Sequence, residues 1–181
     1  LGPIAMEAKD YAAALEYFEK AVKGLPKDPF VRHNIASTLI ALDDYHAAVP
    51  HLRRALQARP GFVEAVAVLA TCYNRMGRGT DALIFAKKSL EMDERNLNGR
   101  IAYAEALINL GRMEEAEIFI KATITKGIAI PYSYQNLSST RKFKADAPEL
   151  QAIKQELGAS HYTMEQRSHL YFAAAKICND A

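Results

Sequence analysis

In the stretch FVRHNIASTLIALDD, from Phe30 to Asp44, the apolar residues Val31, Ile35, Leu39 and Leu42 recur at steps of three and four. That spacing puts them on one face of an α-helix. Asp28 before Pro29 supplies an N-cap and a first-turn proline that needs no N–H. A second helix is predicted to open after Asp43-Asp44, with Ala48, Leu52 and Ala55 on one face and Pro50 inside it. No segment alternates with period two, so no strand is predicted. The pattern predicts an all-α chain.

The pattern also repeats. DYAAALEYFEKAVKGLP from Asp10 and DYHAAVPHLRRALQARP from Asp44 align at a displacement of 34 residues. One small-residue column reads Ala14, Ala48, Ala82, Ala116, and a second reads Ala21, Ala55, Ser89, Thr123. A larger column reads Leu1, Ile35, Leu69, Tyr103, Leu137, and its neighbour Gly2, Ala36, Ala70, Ala104, Ser138. Pro26 and Pro60 punctuate two unit ends, and Gly77 and Gly111 mark turns. A fixed period of this length is the signature of stacked helical pairs.

These residues resemble the tetratricopeptide repeat: the Leu1-Gly2 pair, the Asp10-Tyr11 and Asp44-Tyr45 turns, the alanine columns and the two prolines. The resemblance covers residues 1 to about 140. Gly79 and Met113 depart from it at the turn tyrosine, and Glu94 at the closing proline. It implies a right-handed superhelix (an α-α solenoid) closed by a helical C-terminal capping block. Residues 1–130 are then about 3.5 repeats, the first truncated, and residues 131–181 are the C-terminal block. Leu1-Gly2 sits mid-helix in the family, so the chain is expected to begin inside a repeat.

The register holds through Asn136, Leu137 and Ser138 and then fails. The column Ala5, Leu39, Tyr73, Leu107 would continue at Arg141, which puts a guanidinium in a core slot and ends the repeat. Asp146 and Glu149, with Pro148 between, spell a capping box for one further helix, and Thr163 and Gln166 spell another. Leu170, Ala173, Ala174, Ile177 and Cys178 form an apolar face on the last helix. The block also resembles the linker of bacterial proteins joining tetratricopeptide repeats to a sulfotransferase domain. The matching residues are Lys142-Phe143, Asp146 with Pro148-Glu149-Leu150, and Leu170, Phe172, Ala173 and Lys176. That resemblance implies a fragment of a larger enzyme, with catalytic residues beyond Ala181. A free-standing adaptor in complex assembly or secretion is the alternative.

Composition narrows the function classes. Hydrophobic residues are 50% and charged residues 24%, enough for a core and too apolar for disorder. A net charge of +2 without a basic stripe argues against nucleic acid, and no apolar run reaches the ~20 residues that span a bilayer. Cys72 and Cys178 share no short spacing, which fits a cytoplasmic setting. Gly77 to Ala82 (GRGTDA) spells a dinucleotide fingerprint, but between two helices rather than after a strand. Asn136-Leu137-Ser138 is a glycosylation sequon by letters only. The scattered histidines lack the i, i+4 pairing of a metal site. No cofactor, metal or catalytic residue is expected, and oligomeric state is not legible.

What remains is surface. In the tetratricopeptide family the first helix of each repeat lines a concave groove that binds peptides or protein segments. Projected onto this chain, that groove takes His33, Asn34, Ser37 and Ile40, then Glu64, Thr71, Asn74 and Arg75. Ile101, Glu105, Ile108 and Asn109 follow, with Gln135 and Asn136 at the end. Asparagine amides both donate to and accept from a peptide backbone, which suits sequence-tolerant binding. Some relatives clamp a C-terminal carboxylate with several cations; Arg75 is the one strong cation in this set, so the clamp is not expected here.

Overall fold

The computed structural model describes residues 1–144 and 146–180, and every regular element among them is an α-helix. In order these are α1 (Gly2–Glu7), α2 (Tyr11–Gly24), α3 (Pro29–Ala41), α4 (Tyr45–Ala58), α5 (Val63–Arg75) and α6 (Gly79–Met92). Then come α7 (Leu97–Asn109), α8 (Met113–Thr125), α9 (Ile130–Leu137), α10 (Pro148–Gly158) and α11 (Met164–Asp180). The second helices of successive pairs start at Tyr11, Tyr45, Gly79 and Met113, each 34 residues after the last. The sequence period is the structural period. Two compact units, Leu1–Ala102 and Tyr103–Ala181, divide the chain within α7; a division after residue 130 is what the repeat register leads one to expect.

In the first unit each helix from α1 to α6 packs on the next. Ala14, Ala48 and Ala82 are wholly buried, as are Ala36, Ala70, Leu69 and Tyr73, with Ile35 nearly so. Leu1, the first member of its column, is exposed. Small side chains let helices approach, and glycine goes further where the gap is smallest. A Cβ on Gly99 would lie 2.2 Å from Ser89 Oγ, and one on Gly2 would lie 2.6 Å from the Phe18 ring.

The turn inside each pair obeys the same period. Lys9, Asp43, Gly77 and Gly111 all have positive φ, at 58°, 60°, 70° and 73°. After each, the next N–H returns to a carbonyl five residues back: Asp44 to Leu39 at 2.8 Å, Arg78 to Tyr73 at 2.8 Å and Arg112 to Leu107 at 2.9 Å. This is the left-handed helix terminus that glycine favours. The following helix is capped in two ways. Asp10 and Asp44 accept from Ala13 N at 3.1 Å and Ala47 N at 2.9 Å. Where arginine replaces that aspartate, Arg78 pairs with Asp81 and Arg112 with Glu115 in the first turn. The departures at Gly79 and Met113 sit beside this change of cap.

Asp28 caps α3 as expected, accepting from Phe30 N at 2.8 Å and Val31 N at 2.9 Å. Pro50 lies inside α4, which continues through it.

In the second unit α9 packs on α8, and α11 packs on both α9 and α10. Ala116 and Ser138 are wholly buried, and Ile120 and Leu137 are nearly so. Three sequence expectations are corrected here. Arg141 does not occupy a core slot, because α9 has already ended at Leu137. Ser138 Oγ donates to Gln135 O at 2.7 Å and Thr140 Oγ1 to Leu137 O at 2.8 Å, so side chains take carbonyls at the helix end. The chain then turns and buries Phe143. Arg141 stays outside, over the Phe143 ring at 4.1 Å, and bonds Glu117 at 3.2 Å and Glu149 at 3.0 Å. Nor does Asp146 cap α10: the N-cap is Ala147, without a side-chain bond, and the Glu149 carboxylate goes to Arg141. Pro148 does open the helix. The second box forms reciprocally, Gln166 N to Thr163 Oγ1 at 3.2 Å and Thr163 N to Gln166 Oε1 at 3.0 Å. On α11 Leu170, Ala173 and Ile177 are buried and Ala174 partly so, but Cys178 is exposed.

The turn geometry predicts unequal effects. Gly77→Ala and Gly111→Ala meet no neighbour within 4 Å, so each costs only the strain of an L side chain in the left-handed region, roughly 1–2 kcal/mol. Lys9→Gly relieves the same strain and raises stability by about 0.5–1 kcal/mol. Urea melts of the three variants check this; equal stabilities remove the strain. Ala82→Leu is expected to cost roughly 1–3 kcal/mol by overpacking, and a neutral melt removes the assigned close contact.

Candidate peptide-binding residues

The first-unit candidates lie on three helices: His33, Asn34, Ser37 and Ile40 on α3, Glu64, Thr71, Asn74 and Arg75 on α5, and Ile101 on α7. Their roles separate once partners are counted. Asn74 is buried, and its Nδ2 donates to Ala102 O at 2.8 Å. Its amide is a lock between α5 and α7. Asn34, Ser37, Ile40, Thr71 and Ile101 are half-buried, and Glu64 and Arg75 are exposed.

Asn34 and Ser37 come together with Pro3 and Met6 of α1 and Phe18 of α2 around an open recess of about 200 Å³. One period later Val68 and Thr71 stand where Asn34 and Ser37 stand. Serine is one methyl smaller than threonine, which helps leave space here. Thr38 beneath the recess is buried, donating to Asn34 O at 2.8 Å with Met6 Sδ at 3.1 Å. Pro3 and Met6 were not among the sequence candidates. The signal existed: they stand 34 residues before Ser37 and Ile40, so projecting the period back onto α1 finds them.

His33 has a different setting. Its ring lies 5.1 Å from that of Phe62, which lies 5.2 Å from Phe30, and the Arg59 guanidinium covers both phenylalanines at 5.2 and 5.4 Å. Burial pulls the His33 pKa below its ordinary value, against the opposing charge of Glu64 and a bond with Asn34. Cys72 is buried among core residues and its thiol is pushed up to about 12 by burial, so it behaves as a small hydrophobe.

In the second unit, Glu105, Ile108 and Asn109 lie on α7 and Gln135 and Asn136 on α9. Gln135 Oε1 meets His169 Nδ1 of α11, and the His169 ring lies tilted against that of Tyr132, centroids 4.2 Å apart. Lys176 Nζ donates to Ser139 Oγ at 3.0 Å. Gln135 therefore helps seat α11 on α9. Asn136 is half-buried and Asn109 exposed.

Asn74→Ala removes the bond to the Ala102 carbonyl, which α7 itself also pairs, and is expected to destabilise by about 0.5–1.5 kcal/mol; a melt within error of wild type excludes the lock. The histidines give a pH test. Burial lowers His33, His51 and His169 below 6.5, so the unfolded chain binds protons more readily than the folded one. Stability is then complete above about pH 6.5 and falls as pH drops through that value. His33→Gln should flatten part of this fall, and an unchanged slope places its ring in solvent.

Comparison with known proteins follows the same lines. Residues 43–123 match the family model described as anaphase-promoting complex, cyclosome, subunit 3, and residues 1–23 match a tetratricopeptide-repeat model. The small glutamine-rich tetratricopeptide repeat-containing protein 2 of Mycosarcoma maydis is 30% identical over 95 residues, 52% of this chain and 27% of that protein. Protein PHOX1 of Arabidopsis thaliana is 30% identical over 98 residues, 51% of this chain and 13% of that protein. The match thus spans about a quarter or less of these relatives. Among solved structures, a tetratricopeptide repeat protein from Parabacteroides merdae superposes with a TM-score of 0.79 at 21% identity, covering 98% of this chain and 68% of its own. TTC0263 of Thermus thermophilus gives 0.75 at 20% identity, covering 97% and 96%. YrrB, described as a TPR protein with an unusual peptide-binding site, gives 0.65 at 17% identity, covering 99% and 84%. At these identities the likeness is one of fold. Among the described residues, no helix is long and apolar enough to cross a membrane.

Proposed function

We propose that this chain, which has the tetratricopeptide-repeat fold, is a protein-interaction scaffold whose first unit holds an extended peptide against α1 and α3. One observation carries this reading: the recess at Asn34 and Ser37. Its apolar lining from Pro3, Met6 and Phe18 suits a side chain, and the amide and hydroxyl suit the backbone on either side. At about 200 Å³ it is smaller than the ~300–1,000 Å³ of small-molecule sites. A peptide fits this arrangement better than a cofactor. The peptide-binding site ascribed to YrrB supports it by analogy of fold.

The finer reading makes the chain the recruiting region of a larger bacterial sulfotransferase-like protein. Its support is the linker resemblance at Lys142-Phe143, Asp146, Pro148-Glu149-Leu150 and Leu170 to Lys176. A free-standing adaptor in protein complex assembly or secretion is the alternative. The reading frame of the parent gene decides between them: a strand, phosphate-binding loop and helix downstream favours the enzyme.

The scaffold reading is tested with peptides selected from a display library on the wild-type chain, then titrated against Asn34→Ala/Ser37→Ala. Two lost hydrogen bonds, at about 0.5–1.5 kcal/mol each, predict a roughly 5- to 150-fold weaker Kd. Unchanged affinity, with the melting curve also unchanged, moves the binding face elsewhere.

A further inference from the structure

Several cations of the first unit are neutralised in place: Lys20 by Glu16, Arg78 by Asp81, Lys87 by Glu91 and Arg100 by Glu94. Lys27 and Arg54 differ. Neither has an ion pair or side-chain hydrogen bond among the described residues, and neither does Gln57. The three line an open recess of about 450 Å³ with Pro26 and Ala58. It lies between the α2–α3 loop and the last turns of α4 and shares no residue with the Asn34 recess.

The loop side is held in place. Arg32 Nε and Nη2 donate to Pro26 O at 3.2 and 3.0 Å, and Asp28 N donates to Leu25 O at 3.1 Å. Asp28, the acid nearest in sequence, has its Oδ1 committed to the first N–H groups of α3. On the other wall, His51 lies one turn before Arg54. Burial lowers its pKa, Arg32 and Arg54 lower it further, and Glu19 opposes them. The C-terminal dipole of α4 contributes about half a negative charge. Two full cations outweigh it, so the recess stays positive.

We infer that this recess is a docking point for an acidic segment of a partner protein, with carboxylates on Arg54 and Lys27 and the aliphatic stem of the side chain against Pro26 and Ala58. Arginine offers a carboxylate two parallel donors, lysine adds a point charge, and the Gln57 amide can take a neighbouring backbone group. A polyanion would call for a stripe of cations; here Lys27 and Arg54 line the recess, with Arg32 committed to the Pro26 carbonyl behind the loop, in a chain of net charge +2.

The test uses a fluorescent Glu-rich peptide of about twelve residues, its Gln-for-Glu counterpart, a single-stranded oligonucleotide and inorganic phosphate as probes. Wild-type chain should bind the acidic peptide, more weakly as salt rises, and at least tenfold more tightly than the Gln counterpart. Lys27→Gln/Arg54→Gln should lose at least tenfold and Lys27→Gln alone a smaller part, while Asn34→Ala/Ser37→Ala keeps wild-type affinity. Melting curves of the variants should match wild type, since both side chains are exposed. Equal binding by the double variant overturns the inference. So does equal binding of the Gln peptide, or tighter binding of oligonucleotide or phosphate.

Discussion

Everything in the repeats follows from how closely two helices approach at one alanine per pair. Ala14, Ala48, Ala82 and Ala116 are all wholly buried. A larger side chain there would have to displace a neighbouring helix rather than a flexible group. Close antiparallel helices need a tight reversal, and each pair supplies it at the same point, with positive φ at Lys9, Asp43, Gly77 and Gly111. Ile35, Leu69 and Leu107 then fill the space beside the contact. Two of the four reversals use residues that tolerate the left-handed region less well than glycine, so the turn is imposed by packing and only assisted by local preference.

The C-terminal block shows what happens when that constraint lapses. Ser138 and Thr140 turn their hydroxyls onto helix-end carbonyls, the chain leaves α9 at Leu137, and Phe143 closes the core. Arg141 ties the new turn to Glu117 of α8 and Glu149 of α10. These pairs are partly exposed, and such pairs are worth about 0–1 kcal/mol. They position the turn more than they stabilise it. Arg167 does similar work further on, donating to Ala159 O at 2.8 Å and Leu157 O at 3.3 Å. A guanidinium can satisfy several loop carbonyls that no helix provides for.

What the sequence revealed, and what it hid, follows from range. The period, the Asp28 and Asp44 caps and the Thr163–Gln166 box depend on residues a few positions apart, and each was legible. The same local letters misled at Asp146, because Glu149 was claimed by Arg141 and the cap signal lost to an ion pair. Arg141 misled for a related reason: a column assumes the helix continues, and a helix end set by hydroxyl back-bonding is not periodic. Among the groove candidates, Asn34 and Asn74 look alike in sequence. Only the Ala102 carbonyl opposite Asn74, 28 residues away, separates a structural amide from a surface one.

That distinction carries the functional argument. A repeat fold needs its small and large apolar columns, its reversals and a few polar locks, and it leaves the remaining side chains unconstrained. Polar residues then sort by whether the fold has already used them. Asn74 bonds Ala102, Arg32 bonds Pro26, and Arg100 bonds the Glu94 carbonyl at 2.8 Å. Removing any of these loses a bond that ties one segment to another, so their presence is explained by stability. Ser37 and Asn34 beside one recess, the latter bonded only locally to its neighbour His33, and Lys27 and Arg54 beside another, tie no two segments together. Folding alone would tolerate apolar or neutral residues at all four positions. Polar side chains that the fold does not use, set around space that it leaves open, are where binding is to be sought.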